Sequence, residues 1–443
     1  MQHSQQIPEI LDSLGITRLN AMQEAAGSAI LSQNEVLLLS PTGSGKTIGF
    51  LLPVLQLLQE TEKQVQCLVI APSRELALQI EAVWKQMRTG YKVSCCYGGH
   101  DMQTEIQNLS EPPALLIGTP GRIADHIKRN VFSREQTRIL ILDEFDKSLA
   151  LGFEEEMSYI FASFDHLQKK IFVSATASVD IPGFAGSNQT VTVLNFIADD
   201  SHAKAEALKL LLVISPEKDK LNRLVELLSW IGNESALIFC NHRDAVERTT
   251  GLLKEKGIDC AAFHGGMEQM QREQALVRFH NGTVPFLVAT DLAARGLDIP
   301  ELKHVIHYHL PSTEAEFTHR NGRTARMEAT GTAYLLMHTE ERLPDYIRQQ
   351  PDLLEIPAGL KLPKASEWAT IYINGGKKDK LNKIDIVGLF TQKGGLKKEE
   401  IGLIIVKDRN AFVAVKKYKL KTLLPLVQNE KIKGAKYKMA EAR

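Results

Sequence analysis

The first 200 residues alternate short apolar runs with longer amphipathic stretches. Each apolar run has four or five residues, the length of a strand covered on both faces of a parallel sheet. The stretches between them are long enough for helices, so the pattern predicts an α/β domain over residues 1–200. The predicted strands are Val36–Leu39, Cys67–Ala71, Val93–Tyr97, Ala114–Gly118, Ile139–Leu142, Lys170–Ser174 and Thr190–Val193.

A second series of the same kind predicts another parallel α/β domain over residues 206–350, after a polar linker at Ile197–His202. Its predicted strands are Leu211–Ile214, Ala236–Cys240, Ala261–His264, Phe286–Ala289, His304–His309 and Thr332–Leu336. The rhythm changes over residues 366–443, where the order βαββαβ predicts a small α+β module with a split βαβ sheet. Its elements are predicted at Ala369–Asn374, Lys383–Thr391, Ile401–Val406, Ala411–Val415, Leu420–Val427 and Ala435–Ala440.

Charge is distributed unevenly although the net charge of the chain is zero. Residues 366–443 hold 18 basic and 8 acidic side chains, a net charge of +10, which leaves −10 on the rest. A basic module on an acidic body indicates a polyanionic partner, while a solubilising lysine surface is the alternative.

The sequence shows no recognisable membrane-spanning or secretory segment. No apolar run approaches the length that spans a bilayer, and no basic segment with an apolar core opens the sequence. The five cysteines form no Cys-x-x-Cys pair, which favours reduced thiols. We expect a cytoplasmic protein without membrane contact.

The segment from Ser40 to Thr47 lies between a predicted strand and a predicted helix, the context of a phosphate-binding loop. Its glycines let backbone N–H groups surround a polyphosphate at the helix N-terminus. Lys46 can reach the terminal phosphates, and the Thr47 hydroxyl can ligate Mg²⁺. We predict a nucleoside triphosphate site that contains Thr42, Gly43, Ser44, Gly45, Lys46 and Thr47.

Carboxylates and hydroxyls follow two other predicted strands. Asp143 is placed to hold Mg²⁺ through water, and Glu144 to polarise the attacking water. Ser174 and Thr176 can bridge to the carboxylate of Asp146.

Arginines recur every third residue at Arg320, Arg323 and Arg326, which predicts a helix start whose guanidinium groups point one way. Arg323 and Arg326 are then candidates to neutralise a transferring phosphoryl group, and a basic surface helix is the alternative.

These motifs and their order resemble the DEAD-box family of ATP-dependent RNA helicases over residues 7–340. The further matching segments are Gly15–Gln23, Pro72–Ala77, Gly98-Gly99, Thr119–Arg122, Ile238–Asn241, His264–Gly266, Gln271-Arg272, Ala289–Asp298 and His319–Arg326. The resemblance implies two RecA-like P-loop domains in tandem that use ATP and Mg²⁺.

The resemblance also implies residue roles. Gln23 would read adenine, Asp298 would contact the ribose, and His319 would belong to the catalytic set. The RNA backbone would be contacted by Pro72, Arg74, Gly99, Thr119, Arg122 and Thr290. Contacts to phosphates and 2′-hydroxyl groups carry little sequence information.

Three features depart from the family pattern. Phe145 replaces an alanine, and its ring is expected to crowd the strand that bears Ser174, so we predict slower coupling or a compensating small neighbour. The segment before Gln23 is degenerate, which predicts looser adenine selectivity. His309 stands where the family usually has an acidic residue before Pro311. Together with His304 and His307 it favours strand packing over a metal site.

The module from residue 369 resembles the RNA-binding domain of the DEAD-box protein A group, a variant RNA-recognition motif. Tyr372 and Phe412 are candidates for base stacking and equally for core packing. The lysines predicted to bind RNA are Lys377, Lys378, Lys431 and Lys433.

We therefore expect a monomeric ATP-dependent RNA helicase that remodels structured RNA, with ribosomal RNA during large-subunit assembly as the hypothetical target. The alternatives are an ATP-gated RNA clamp without unwinding and a DNA-directed translocase.

Overall fold

The computed structural model of the 443-residue chain describes residues 7–41, 43–99, 101–176, 181–186, 191–197, 208–291, 302–324 and 331–442. The chain divides near residue 206 into two units. None of the helices in these described ranges is long and apolar enough to cross a membrane. The predicted linker lies almost entirely outside the described residues.

The first unit contains a seven-stranded parallel sheet of order β3-β4-β2-β5-β6-β1-β7 within the described residues. Its strands are β1 Glu35–Leu39, β2 Cys67–Ile70, β3 Val93–Cys96, β4 Leu115–Gly118, β5 Ile139–Asp143, β6 Lys169–Ser174 and β7 Thr192–Asn195. Its helices are α1 Ile7–Ser13, α2 Ala21–Ser32, α3 Lys46–Leu57, α4 Arg74–Gln86, α5 Met102–Leu109, α6 Pro120–Lys128, α7 Phe145–Ala150 and α8 Glu154–Ala162.

Alternation along β1 shows how both faces of this sheet are covered. Val36 and Leu38 pack into one hydrophobic core, whereas Leu37 and Leu39 pack into the other. Because β6 lies between β1 and β5, the carboxyl ends of these three strands are neighbours, with Leu39 opposite Ser174. The segments that carry the predicted chemistry therefore meet at one edge of the sheet.

The second unit begins with another seven-stranded parallel sheet, of order β10-β11-β9-β12-β13-β8-β14 in the described residues. Its strands are β8 Leu208–Ser215, β9 Ala236–Phe239, β10 Cys260–Phe263, β11 Phe286–Ala289, β12 His304–His307, β13 Gly331–His338 and β14 Asp352–Leu353. Its helices are α9 Leu221–Ile231, α10 Arg243–Glu255, α11 Gln269–His280 and α12 Glu314–Asn321. The short edge strand β14 was not predicted.

The C-terminal module is a four-stranded antiparallel sheet of order β16-β17-β15-β20 with a separate two-stranded hairpin. Its strands are β15 Trp368–Ile373, β16 Ile401–Val406, β17 Ala411–Lys416, β18 Lys431–Ile432, β19 Ala435–Lys436 and β20 Met439–Glu441. Its helices are α13 Lys383–Gln392 and α14 Leu420–Val427.

The prediction of one final strand over Ala435–Ala440 was wrong. Lys433 and Gly434 both have positive φ, which closes a two-residue hairpin between β18 and β19. The chain then joins the larger sheet only at β20, where Ala440 is opposite Tyr372.

The module packs against the preceding α/β sheet domain through one face of β15. Ala369, Ile371 and Ile373 point into the module's own core. Thr370 points the other way, and its Oγ1 lies 2.7 Å from Thr283 Oγ1. The two domains therefore form part of one unit, and the predicted boundary between residues 350 and 366 stays a prediction.

Candidate nucleotide site and RNA interface

The phosphate-loop segment leaves β1 with two glycines in the left-handed region. Gly43 and Gly45 both have a φ of 82°, which a side chain would strain. Lys46 is the first residue of α3, and its Nζ donates to the carbonyl oxygens of Ser40 at 2.8 Å and Pro41 at 2.7 Å. The ammonium group therefore lies folded over the loop, where it can exchange carbonyl oxygens for phosphate oxygens.

Two hydroxyl residues flank this lysine. The Ser44 hydroxyl donates to the Pro41 carbonyl oxygen at 2.8 Å, which tightens the loop. Thr47 follows Lys46 in the first turn of α3 and is partly exposed. Thr42 lies outside the described residues.

Four charged side chains are buried where β1 and β5 end, and we call them the phosphate-loop cluster: Lys46, Asp143, Glu144 and Lys147. Burial lowers the pKa of Lys46 to about 8, although the charges of Asp143 and Glu144 partly offset it. Burial and then the charge of Glu144 raise the pKa of Asp143 to about 7. Two lysines and two carboxylates thus lie together in a site that is largely shielded from water.

One carboxylate oxygen of this cluster fits a metal ion. Asp143 Oδ1 is buried and has no hydrogen-bond partner among the residues that the structure describes. An unsatisfied buried oxygen is energetically unfavourable, and Mg²⁺ or its bound water prefers such ligands. The donor set of Asp143 and Thr47 therefore suits magnesium.

Glu144 stands at the entrance to α7 with a φ of 47°, a left-handed conformation that non-glycine residues rarely adopt. Its Oε2 lies 2.7 Å from Lys147 Nζ, and both side chains are buried. Sequence reasoning missed Lys147. The i, i+3 spacing from Glu144 was the available signal.

The hydroxyls after β6 reach the same edge of the sheet. Thr176 Oγ1 donates to Asp146 Oδ2 at 3.2 Å, and Ser174 Oγ lies 3.0 Å from Thr176 Oγ1. The Asp146 contact is thus made by Thr176, with Ser174 behind it.

The predicted RNA contacts of the first unit lie on neighbouring loops. A Cβ atom added to Gly99 would lie 2.7 Å from Arg74 Nη1, so the guanidinium group rests on the glycine backbone. Arg122 Nε donates to the Tyr97 carbonyl oxygen at 3.1 Å. Thr119 is the N-cap residue of α6, and Pro72 is buried before α4.

The second unit corrects the prediction for its arginines. The helix α12 ends at Asn321, so Arg320 lies in the last turn of a helix and not at a helix start. Arg320 points inward and is 1% exposed, with Nε and Nη2 each 2.6 Å from the carboxylate of Asp291. Arg323 lies beyond the helix end and is also buried.

The other predicted site residues of this unit divide between the described and undescribed ranges. Thr290 follows β11, His319 belongs to α12, and both are buried. Asp298 and Arg326 lie outside the described residues.

The three histidines at β12 each have a different partner. His304 Nε2 lies 2.7 Å from Glu234 Oε2, and His307 Nε2 lies 2.9 Å from Asn321 Oδ1. Burial and the charge of Arg320 lower the pKa of His307 to about 3. The His309 ring accepts from the backbone N–H of Asn241 at 3.4 Å. Separate partners favour packing roles over a shared metal.

Comparison with known proteins identifies this architecture. Three sequence families match: DEAD/DEAH box helicase at residues 20–182, helicase conserved C-terminal domain at 219–328, and DbpA RNA binding domain at 370–441. The chain is 32% identical to the ATP-dependent RNA helicase DbpA of Escherichia coli (strain K12), over 96% of this chain and 94% of that protein. The chain belongs to the DEAD-box family of ATP-dependent RNA helicases.

Two further relatives agree with this assignment. The DEAD-box chain is 28% identical to the ATP-dependent RNA helicase DbpA of Bacillus subtilis (strain 168), over 100% of this chain and 98% of that protein. It is also similar to a structure of Mss116p bound to ssRNA and AMP-PNP, with a TM-score of 0.70 and 25% identity over 79% of this chain and 77% of that one. The predictions of an ATP-hydrolysing RNA helicase and of tandem RecA-like domains are confirmed.

Gln23 of this DEAD-box helicase contacts the phosphate loop directly. Its Nε2 donates to the Gly45 carbonyl oxygen at 3.2 Å, and its Oε1 accepts from the backbone N–H of Asn20 at 3.0 Å. Asn20 Nδ2 also donates to the Ser44 carbonyl oxygen at 3.0 Å. The degenerate segment therefore still joins α2 to the loop, and its effect on adenine selectivity stays a prediction.

Phe145 is fully buried against the strand that carries Ser174. Its ring centroid lies 5.8 Å from that of Phe172 on β6, in an edge-to-face arrangement. The neighbour on β6 at this contact is therefore another large ring and not a small residue, and the departure adds an aromatic contact between α7 and β6. Its effect on coupling stays a prediction.

The outer face of β15 and β17 decides between the two interpretations of the module's aromatic residues. Phe412 is fully buried, and its ring centroid lies 5.5 Å from that of Tyr372. Thr370, on the same face, contacts the α/β domain through Thr283. Base stacking on Phe412 is therefore blocked in this arrangement, whereas Tyr372 is half-buried.

The four predicted RNA-binding lysines are exposed on two adjoining segments: Lys377, Lys378, Lys431 and Lys433. Lys433 Nζ donates to the Lys380 carbonyl oxygen at 2.8 Å and lies 2.9 Å from Asp385 Oδ2. This contact joins the hairpin of β18 and β19 to the loop after β15. We call the exposed surface of these two segments the lysine surface.

Proposed function

We propose that this DEAD-box helicase uses ATP hydrolysis to open short stretches of structured RNA, and that its target is ribosomal RNA during large-subunit assembly. The observation that carries the proposal is the phosphate-loop cluster, in which a buried Asp143 oxygen lacks a partner among the described residues. The lysine surface supports a structured polyanion as the target.

In this proposal the phosphate-loop residues bind the triphosphate. Lys46 leaves its carbonyl partners to neutralise the terminal phosphates, and the N–H groups of the loop donate to them. Thr47 and Asp143 would hold Mg²⁺, which supplies further neutralisation of phosphate charge. Gln23 and Asp298 are assigned to adenine and ribose.

Hydrolysis itself is assigned to side chains around the same edge of the sheet. Glu144 accepts the proton of the attacking water. The left-handed backbone conformation of Glu144 places its side chain at the end of the strand. Thr176, supported by Ser174, holds Asp146 and links this edge to α7. His319, Arg323 and Arg326 stabilise the transferring phosphoryl group in the RNA-bound state.

RNA is bound along its backbone by Pro72, Arg74, Gly99, Thr119, Arg122 and Thr290. The lysine surface holds a structured segment of the same RNA, which raises the effective concentration of the neighbouring duplex at the helicase domains. We further propose a cytoplasmic monomer, in keeping with five cysteines that are all free thiols.

The test measures ATP hydrolysis and separation of a short RNA duplex by the full chain. Glu144→Gln should lower the RNA-stimulated ATPase rate by roughly 10²–10³-fold and abolish duplex separation, because the general base is lost. If Glu144→Gln still replaces the wild-type protein in cells although it no longer hydrolyses ATP or separates the duplex, the clamp would be favoured. Equal stimulation by DNA of the same sequence would favour the translocase.

The target is tested by crosslinking the full chain to total cellular RNA and sequencing the bound fragments. Lys377→Ala/Lys378→Ala should remove enrichment of ribosomal fragments, because phosphate contacts are lost. Lys361→Ala/Lys364→Ala, at two exposed lysines outside the lysine surface, is the matched control. Enrichment of other RNA classes by the wild-type protein would replace the ribosomal target.

A further inference from the structure

We propose that Glu105 is a positioning residue that holds the RNA-contact loops of the first unit in their binding arrangement. The inference rests on the proposed function, because it assumes that Arg74, Gly99 and Arg122 contact RNA. Glu105 lies on α5, behind the loops, and its side chain is 2% exposed. It therefore acts through other residues.

The carboxylate of Glu105 is the meeting point of three segments. Its Oε1 accepts the backbone N–H of Tyr97, after β3, at 3.2 Å. Its Oε2 lies 2.7 Å from His126 Nε2 and 3.4 Å from Arg122 Nε, both on α6. Hydrogen bonds to a buried carboxylate are stronger than neutral ones, so the group fixes α6 relative to the loop after β3.

The same contacts extend to the loop glycines. Arg122 Nε also donates to the Tyr97 carbonyl oxygen at 3.1 Å, which closes a ring of contacts with Glu105. Tyr97 is followed by Gly98-Gly99, on which the guanidinium group of Arg74 rests. One carboxylate thus sets the relative positions of two arginines and a glycine backbone that we assign to RNA.

A metal site is the competing interpretation of this cluster. Ligand atoms of Cys96, Glu105 and His126 all lie within 4.8 Å of one another, and the three residues are buried. Both Glu105 oxygens already accept hydrogen bonds or an ion pair, and Arg122 brings a positive charge to the same oxygen. A cation there would be repelled by the guanidinium group, so the cluster is assigned to hydrogen bonding.

The experiment measures ATPase stimulation by a short structured RNA against RNA concentration. Glu105→Gln keeps the side-chain size and removes the charge. It should raise the half-stimulating RNA concentration about tenfold, because the ion pair with Arg122 is lost and the hydrogen bond with His126 is weakened. The maximal rate at saturating RNA and the KM for ATP should stay within about twofold.

Two comparison variants make the result specific. Glu111→Gln removes an exposed carboxylate two residues after α5 and should leave the RNA dependence unchanged. Arg122→Ala should raise the half-stimulating RNA concentration by itself. Adding Glu105→Gln to Arg122→Ala should raise it by less than the product of the two single effects, since both changes disrupt one network.

The outcomes separate the two proposals. If Arg122→Ala raises the half-stimulating RNA concentration but Glu105→Gln does not, the positioning role is overturned and the proposed function stays intact. Wild-type ATPase that RNA does not stimulate would overturn the proposed function. If Glu105→Gln does not fold, His126→Gln must raise the half-stimulating RNA concentration at an unchanged maximal rate, or the inference is overturned.

Discussion

Two ionic clusters in this helicase differ in how completely their buried charged groups are hydrogen-bonded. The phosphate-loop cluster of Lys46, Asp143, Glu144 and Lys147 leaves Asp143 Oδ1 without a hydrogen-bond partner within the described residues. In the Arg320 cluster, which consists of Arg320, Asp291, Asn241 and His309, all three nitrogen atoms of the guanidinium group donate hydrogen bonds. Arg320 donates to both Asp291 oxygens, to Asn241 Oδ1 at 2.8 Å and to the His309 carbonyl oxygen at 2.6 Å.

This difference in hydrogen bonding indicates that the first cluster binds a ligand and that the second stabilises the fold. Buried charges without enough partners destabilise a fold, and a ligand that supplies the partners recovers the lost free energy. A buried charge whose nitrogen atoms all have acceptors has little capacity left for a ligand, but it ties together the segments that contribute those acceptors. Both clusters come from family motifs, so motif membership alone does not distinguish these two roles.

The largest expected effect is on the phosphate-loop cluster. Asp143→Asn should lower RNA-stimulated ATP hydrolysis by about 10³-fold, because a carboxylate assigned to Mg²⁺ is lost. The free energy of unfolding of the first unit should stay equal or rise, since burial and Glu144 already disfavour the Asp143 charge. Urea unfolding without nucleotide measures it, and Asp165→Asn at an exposed site is the control. A clear loss of stability would contradict the comparison.

The Arg320 cluster should respond in the opposite way. Arg320→Met should lower the free energy of unfolding of the second unit by about 3 kcal/mol, because the partly buried carboxylate of Asp291 would lose its bidentate partner. Arg342→Met, at an exposed arginine of the same unit, should change it by less than about 0.5 kcal/mol. Equal stability of the two variants would show that the cluster is not a scaffold.

The stability of the second unit should also depend on pH through His307, whose pKa is affected by the charge of Arg320. The pKa of His307 is about 3 in the folded chain and 6.5 ordinarily, so the unfolded chain binds more protons between these values. The free energy of unfolding of the second unit should therefore fall as pH decreases below 6.5, by about 2 kcal/mol at pH 5. His307→Gln should remove this part of the pH dependence, whereas His166→Gln, at an exposed histidine, should not.

A neutral, partly buried hydrogen bond should give the smallest of these effects. Thr283→Val removes the hydroxyl that pairs with Thr370 between the α/β domain and the C-terminal module. The free energy of unfolding of the second unit should fall by about 1 kcal/mol, the typical contribution of one hydrogen bond. Thr339→Val, at an exposed site, is the matched control. If Thr283→Val lowered the free energy of unfolding as much as Arg320→Met does, charged and neutral contacts would not differ in the way proposed.

The sequence by itself determined the two parallel sheets, the phosphate loop and the position of Asp143 and Glu144. These features depend on local order: short apolar runs form strands, and residues after adjacent parallel strands meet at one edge. The final strand was the exception, because Ala435-Lys436 pairs with Lys431-Ile432 in a local hairpin and only Met439–Glu441 joins the larger sheet.

Only the tertiary structure decided which way individual side chains face. Arg320 is one of three arginines in a single motif, and its side chain turns inward because Asp291, 29 residues away, lies within its reach. Phe412 is buried because the C-terminal sheet packs on the α/β domain. Glu105 collects donors from two other segments. Partners that are distant in sequence leave no periodic signal, so burial and charge pairing emerge only when the chain is folded.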